Sequence, residues 1–244
     1  KRLMAISWLA TPEDSPFPPV DQATSHGLLA AGGDLSITRL LNAYRHGIFP
    51  WFNAYDPILW WSPDPRMVFN TDKMHISKSL KKVLRQKPFD ITFDQDFKGV
   101  MHACAAPRLL KLPVEQHETW IHNEMISAYM ELHHTGYAHS VECWQQGELV
   151  GGVYGVAIGK MFFGESMFSF KTNASKIALV ALAQQLKQWG YPLIDCQVYS
   201  EHLSRLGAVT LPREIFVQQV QMLCALPGQT GYWQTTTLPF SYEP

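Results

Sequence analysis

No stretch of the sequence approaches the roughly 20 consecutive apolar residues that carry a helix across a bilayer, so no membrane-spanning helix is expected. Neither sign of charge prevails: 20 basic residues stand against 21 acidic ones. Any grip on a polyanion must therefore come from local clustering. Cysteine is scarce, with four residues at 104, 143, 196 and 224. They lack the close paired spacing of a zinc site and read as reduced thiols in a cytoplasmic protein. His133-His134 and the His117, His122 pair have no Cys or acidic partners at ligand spacing, so no metal is expected. Lys1-Arg2 and the apolar residues to Ala10 imitate a secretory signal only faintly, because Thr11-Pro12-Glu13-Asp14 cut the run short. Apolar material, in contrast, is plentiful. At 46% hydrophobic over 244 residues, the chain supports one large packed domain or two smaller ones.

Residues 1–65 are rich in Pro, Gly and Trp and are read as a small N-terminal domain, with residues 66–244 forming a larger one. The first part holds one clear helix, Ile37 to His46, with Ser36 as N-cap and Gly47 as its stop. Further helices are expected at Met74 to Lys87, Phe97 to Cys104, Asn123 to His134, Asn173 to Trp189 and Arg213 to Leu226, with a short turn at His202 to Leu206. A strand at Asp90 to Phe93 precedes an antiparallel meander, His139 to Gln145, Glu148 to Ala157 and Lys160 to Phe168, punctuated by Gln146-Gly147 and Ile158-Gly159. Mixed strands with segregated helices make an α+β fold.

Two apolar segments carry acids. Leu193 to Val198 reads as a buried strand in which Asp195 and Gln197 share one face. Glu165 lies within the aromatic run Met161 to Phe168. Buried polar groups cost free energy unless they are hydrogen-bonded. Asp195 alone could simply bind a neighbouring backbone amide; two such acids together suggest a site for a cationic or amine substrate. Elsewhere, Lys78, Lys81, Lys82 and Arg85 share one helical face, opposite Ile76, Leu80, Val83 and Leu84, and no acid occurs from Lys73 to Lys87. A stripe of this kind displaces counterions from nucleic-acid phosphates. A solvated surface and a membrane-surface helix are the competing readings, the latter wanting a broader apolar side. Prolines around Trp51, Trp60 and Trp61 hold rigid rings suited to stacking on bases or to packing between domains.

The ordered motifs Gly32-Gly33-Asp34-Leu35-Ser36, Gly47-Ile48-Phe49-Pro50-Trp51, Trp60-Trp61-Ser62-Pro63-Asp64-Pro65-Arg66, Ala138-His139-Ser140-Val141-Glu142, Gly164-Glu165-Ser166-Met167-Phe168-Ser169, Ala174-Ser175-Lys176 and Asp195-Cys196-Gln197 resemble the leucyl/phenylalanyl-tRNA-protein transferase family along nearly the whole chain. The resemblance implies a bacterial enzyme with a GNAT-like acyltransferase domain after the N-terminal one. It implies transfer of Leu or Phe, and less readily Met, from aminoacyl-tRNA to proteins beginning with Arg or Lys, which creates an N-terminal degradation signal. An aminoacyl ester is already activated, so no cofactor is implied; the enzyme positions the amine, takes a proton and stabilises an oxyanion.

Carried onto this chain, the resemblance makes Asp195, Gln197 and Glu165 the catalytic group, Glu165 holding the acceptor's ammonium or its basic side chain. An amide is a poor base, so Gln197 is an orienting acceptor, and Asp195, a water or the tRNA ribose remains open as the final proton acceptor. The donor pocket would be walled by Val153, Phe162, Leu179 and Ile194, with Trp51 and Trp120 against the terminal adenosine or aminoacyl group. The Lys78, Lys81, Lys82 and Arg85 face would grip the acceptor stem. Two positions depart from the family pattern: Glu118 stands where Gly is expected, after a longer loop at Leu109 to Gln116, and Val153 stands where Met or Leu is common. The second departure implies a roomier pocket and good use of Phe. An acyl-CoA transferase is the main rival, but no basic, Gly-rich pyrophosphate turn precedes the Asn173 helix. A non-catalytic RNA-binding module would leave the acids on apolar strands unexplained.

Overall fold

The computed structural model describes residues 6–10, 16–106 and 121–234. Two sheets organise them. The first contains β1 (Ser7–Leu9), β2 (Leu28–Gly32), β3 (Phe49–Pro50) and β4 (Leu59–Trp61), in the order β1-β2-β4-β3. Only the helix of this region was expected from sequence. The strands are two to five residues long and interrupted by proline and glycine, too short for alternation to register. The expected helix is α1 (Ile37–Arg45), with the Ser36 side chain accepting from the Arg39 N–H and Gly47 turning the chain at φ 72°.

The second sheet has seven strands, in the order β11-β5-β10-β9-β8-β7-β6. They are β5 (Arg66–Asn70), β6 (Asp90–Phe93), β7 (Ala138–Gln145), β8 (Glu148–Ile158), β9 (Met161–Ser169), β10 (Leu193–Asp195) and β11 (Val209–Leu211). The meander β7-β8-β9 is antiparallel, as anticipated. Helix α5 (Ala174–Gln188) then carries the chain over, so that β10 lies parallel to β9. Strands β5 and β11 were not anticipated, and β5 pairs antiparallel with β10.

Helices α2 (Lys78–Gln86), α3 (Phe97–Ala105), α4 (Asn123–His134), α6 (Glu201–Arg205) and α7 (Arg213–Cys224) complete the described elements. Helix α2 begins four residues later than its periodicity suggested, because Ser77 caps it by accepting from the Leu80 N–H. Alternate residues of one strand enter different cores: Met67 and Phe69 pack with α2 and α5, while Val68 packs with α1, α3, α4 and α7. The large sheet is thus covered on both faces in an α+β arrangement. Among the described residues, no helix is long and apolar enough to cross a membrane.

Candidate active site

The site begins with an ion pair that sequence reasoning missed. Arg66 opens β5 and Asp195 closes β10, and both side chains are fully buried. Arg66 Nε and Nη2 donate to Asp195 Oδ1 and Oδ2 at 2.8 and 2.7 Å, while Nη1 donates to the Gly47 carbonyl at 2.9 Å. The guanidinium lies between the rings of Phe49 and Phe216, 4.8 and 4.6 Å from their centroids. Burying two charges is tolerable only with such bidentate, fully hydrogen-bonded geometry.

Asp195 Oδ1 also accepts from the Gln197 backbone N–H at 2.8 Å. This corrects the expectation that a strand runs to Val198 with Asp195 and Gln197 on one face. The strand stops at Asp195, and Gln197 takes a left-handed conformation at φ 62°. A carboxylate capturing the N–H two residues ahead is an Asx-type turn, which competes with strand pairing. Asp195 is thus bound by a neighbouring backbone amide, and Arg66 donates to both of its oxygens, while the residue also lines the inner space described below.

Glu165 reaches the same place from β9. Across β8 and β9, Tyr154 pairs with Ser166 and Gly155 with Gly164, leaving Glu165 as the extra residue of a β-bulge. Bulges re-aim side chains. Gly155 is required here, since a Cβ on it would lie 2.2 Å from the Phe163 carbonyl. Glu165 Oε1 accepts from the Tyr44 hydroxyl at 2.5 Å and from Gln197 Nε2 at 3.0 Å. Tyr44 and Tyr129, both fully buried, share a hydrogen bond between their hydroxyls. Sequence gave no sign of these tyrosines, which lie far from Glu165 along the chain.

The Glu165 residue is half-buried, but its Oε2 is shielded from solvent and has no hydrogen-bond partner. Desolvation pushes its carboxyl up to about 8, with Asp195 adding to the rise and Tyr44, Tyr129 and Arg66 opposing it.

Two neighbouring spaces are lined by this residue. The outer one, about 290 Å³, is lined by Phe49, Pro50, Trp51, Gln197 and Ser200 among others. The inner one, about 80 Å³, is walled by Val153, Leu179 and Ile194 with Phe69 and Leu182. Glu165, Ser166, Met167, Cys196 and Leu203 border both. Phe162 does not line the inner space. It belongs to the same apolar layer, where its ring lies near Gly155 and 5.8 Å from that of Trp233. Trp51 is 44% exposed at the outer rim and meets Trp61 at 5.6 Å, its carbonyl accepting from Trp61 Nε1 at 2.7 Å. Trp60, in contrast, is a core residue that donates to the Gly32 carbonyl. Trp120 and the loop at Leu109 to Gln116 lie outside the described residues. On α2, Lys78, Lys81, Lys82 and Arg85 are all exposed, while Leu80 and Leu84 are buried.

Among the described residues, no histidine lines either space to activate a serine or cysteine. A carboxyl, an amide and an apolar recess suit a transferase in which an acceptor amine attacks an acyl carbon directly. The model described as leucyl/phenylalanyl-tRNA protein transferase matches residues 68–221, and that of the same family's N-terminal domain matches residues 33–64. The leucyl/phenylalanyl-tRNA–protein transferase of Nitrosomonas europaea is 58% identical over 222 residues, covering 90% of this chain and 92% of that one. Its counterpart in Azotobacter vinelandii is 53% identical over 219 residues, covering 89% and 94%. The chain belongs to the leucyl/phenylalanyl-tRNA protein transferase family.

Proposed function

We propose that this protein transfers Leu or Phe, and less readily Met, from aminoacyl-tRNA to the α-amino group of proteins with N-terminal Arg or Lys, yielding an N-terminal degradation signal. Family membership supports the aminoacyl transfer; the acceptor class and Met follow from the resemblance. Residues 66–244 form a GNAT-like acyltransferase domain and residues 1–65 a small domain that brings Trp51 to the pocket rim.

The observation that supports the reading at this site is the unpartnered Oε2 of Glu165, a residue that lines two neighbouring spaces. Glu165 receives the acceptor's α-ammonium. Desolvation raises its proton affinity from the ordinary carboxylate range toward that of an amine. Its carboxylate form takes the ammonium's proton more readily than an exposed carboxylate does. The neutral nitrogen attacks the ester carbonyl carbon; a C–N bond forms, the C–O bond to the ribose breaks, and the amine's second proton leaves with the ribose oxygen. Gln197 holds the carboxyl in place, and Asp195 with Arg66 holds Gln197. Val153, Leu179 and Ile194 take the donor side chain, with Phe162 in the same apolar layer, and Trp51 and Trp120 contact the terminal adenosine or the aminoacyl group. Lys78, Lys81, Lys82 and Arg85 contact acceptor-stem phosphates, which position an RNA without reading its sequence. Purified protein mixed with radiolabelled Phe-tRNA and a protein beginning with Arg should label that protein; absence of label with folded enzyme overturns the reading.

A further inference from the structure

A separate cleft of about 280 Å³ lies where the starts of α2 and α5 meet α6. Its polar lining includes His75, Ser77, Ser79, Lys176, His202 and Arg205, and its apolar floor is Leu80, Val83 and Leu206. Among the described residues, no acid lines it. Lys176 is half-buried, and no ion pair or hydrogen bond engages its amine among the described residues. Arg205 pairs with Glu201 at 2.5 Å, but both side chains are more than two-thirds exposed, and such a pair is weak and readily exchanged. Burial, then Lys176 and Arg205, push the His202 imidazole below its ordinary proton affinity. Of the two cations lining the cleft, Lys176 has no ion-pair partner among the described residues and Arg205 has only the exposed Glu201.

The position of the cleft gives these cations a use. Helix α6 divides it from the acceptor pocket: Ser200 and Leu203 line the pocket, while His202 and Arg205 line the cleft. A helix is about 10 Å across. On its other side the cleft is continuous with α2, whose exposed face carries Lys78, Lys81, Lys82 and Arg85.

We propose that this cleft binds a backbone phosphate of the donor's single-stranded 3′ end, through Lys176, His202 and Arg205, as the strand passes from α2 over α6 into the pocket. The proposal rests on the transfer reading above and locates a contact that no helix-face argument on α2 supplies. It also gives Lys176, in the Ala174-Ser175-Lys176 motif, a ligand.

The test compares two donors: Phe-tRNA, and the 3′-phenylalanyl ester of adenosine, which has no phosphate. Lys176→Ala with Arg205→Ala should raise KM for Phe-tRNA about tenfold, leave kcat within about twofold, and leave KM for the phosphate-free ester unchanged. The salt slope of tRNA binding should fall by roughly 1 to 2, and Lys176→Arg alone should behave as wild type. An equal rise in KM for both donors, or an unchanged KM for Phe-tRNA, overturns the proposal. So does stabilisation of the wild type by inorganic phosphate with tRNA kinetics unaffected in the variants, which makes the cleft a free-ion site. Wild-type protein that transfers from neither donor defeats the transfer reading itself, a result distinct from any of these.

Discussion

Buried acids occur in two regions of the large sheet, and their fates differ. At β6 and β7, Asp94 accepts from the backbone N–H groups of Ser140 and Trp233 at 2.8 and 2.7 Å, and it bonds His139 Nδ1 at 2.7 Å. Glu142 takes hydroxyls from Ser140 on one oxygen and Thr92 on the other. Every oxygen of both carboxyls is engaged, and His139 stacks on Trp233 at 3.8 Å. At β9 and β10, Asp195 is equally engaged, but Glu165, which lines both spaces, keeps one oxygen without a hydrogen-bond partner. Desolvation raises the proton affinity of both Glu142 and Glu165. Burial and a raised pKa therefore do not distinguish the two glutamates; the unfilled bonding position on Glu165 does.

The contrast can be broken in order of expected effect. Arg66→Ala or Asp195→Ala leaves a buried charge without its partner and should cost about 3–5 kcal/mol of stability, read by denaturant unfolding. An unchanged midpoint would deny the pair its structural role. Glu142→Gln should cost about 1–3 kcal/mol through a buried bonding group left unmatched, and a null effect would remove the distinction drawn for β6 and β7. For Glu165, the folded-state value lies above the ordinary 4.5 at about 8. Its stability contribution is full below pH 4.5 and is lost as pH rises through 8. Glu165→Gln should flatten stability across that window; a slope identical to wild type contradicts the raised value.

Smaller effects sharpen the RNA side. Neutralising Lys78, Lys81, Lys82 and Arg85 together should weaken tRNA binding and reduce its salt slope by roughly 3, while sparing a phosphate-free donor. An unchanged slope removes α2 from the interface. Val153→Met should narrow the inner space and shift competition from Phe toward Leu by about tenfold or less. An unshifted ratio excludes Val153 from donor choice.

Much of the fold was legible where structure is local. The Ser36 cap, the meander and the long helix after it follow from residues close together in sequence, whereas the Ser77 cap that delays α2 was not read. What else escaped depends on distant partners. Arg66 and Asp195 are 129 residues apart, and Tyr44 and Glu165 are 121 apart. No periodicity links them, although the apolar run Met67-Val68-Phe69 after Arg66 is a signal that a cation was to be buried. The bulge at Glu165 and the left-handed Gln197 are backbone exceptions that a period of two cannot register. Val153, Leu179 and Ile194 line one space, whereas Phe162 does not line it and belongs to the same apolar core.

The most direct measurement is label transfer from Phe-tRNA to an Arg-initiated protein by Glu165→Gln and Glu142→Gln enzymes, side by side and both verified as folded. Loss of a proton-transfer group costs on the order of 10²–10⁴ in rate, so Glu165→Gln should fall by about 100-fold or more while Glu142→Gln stays within about twofold of wild type. Equal rates in the two variants would contradict the assignment of Glu165 as the working acid.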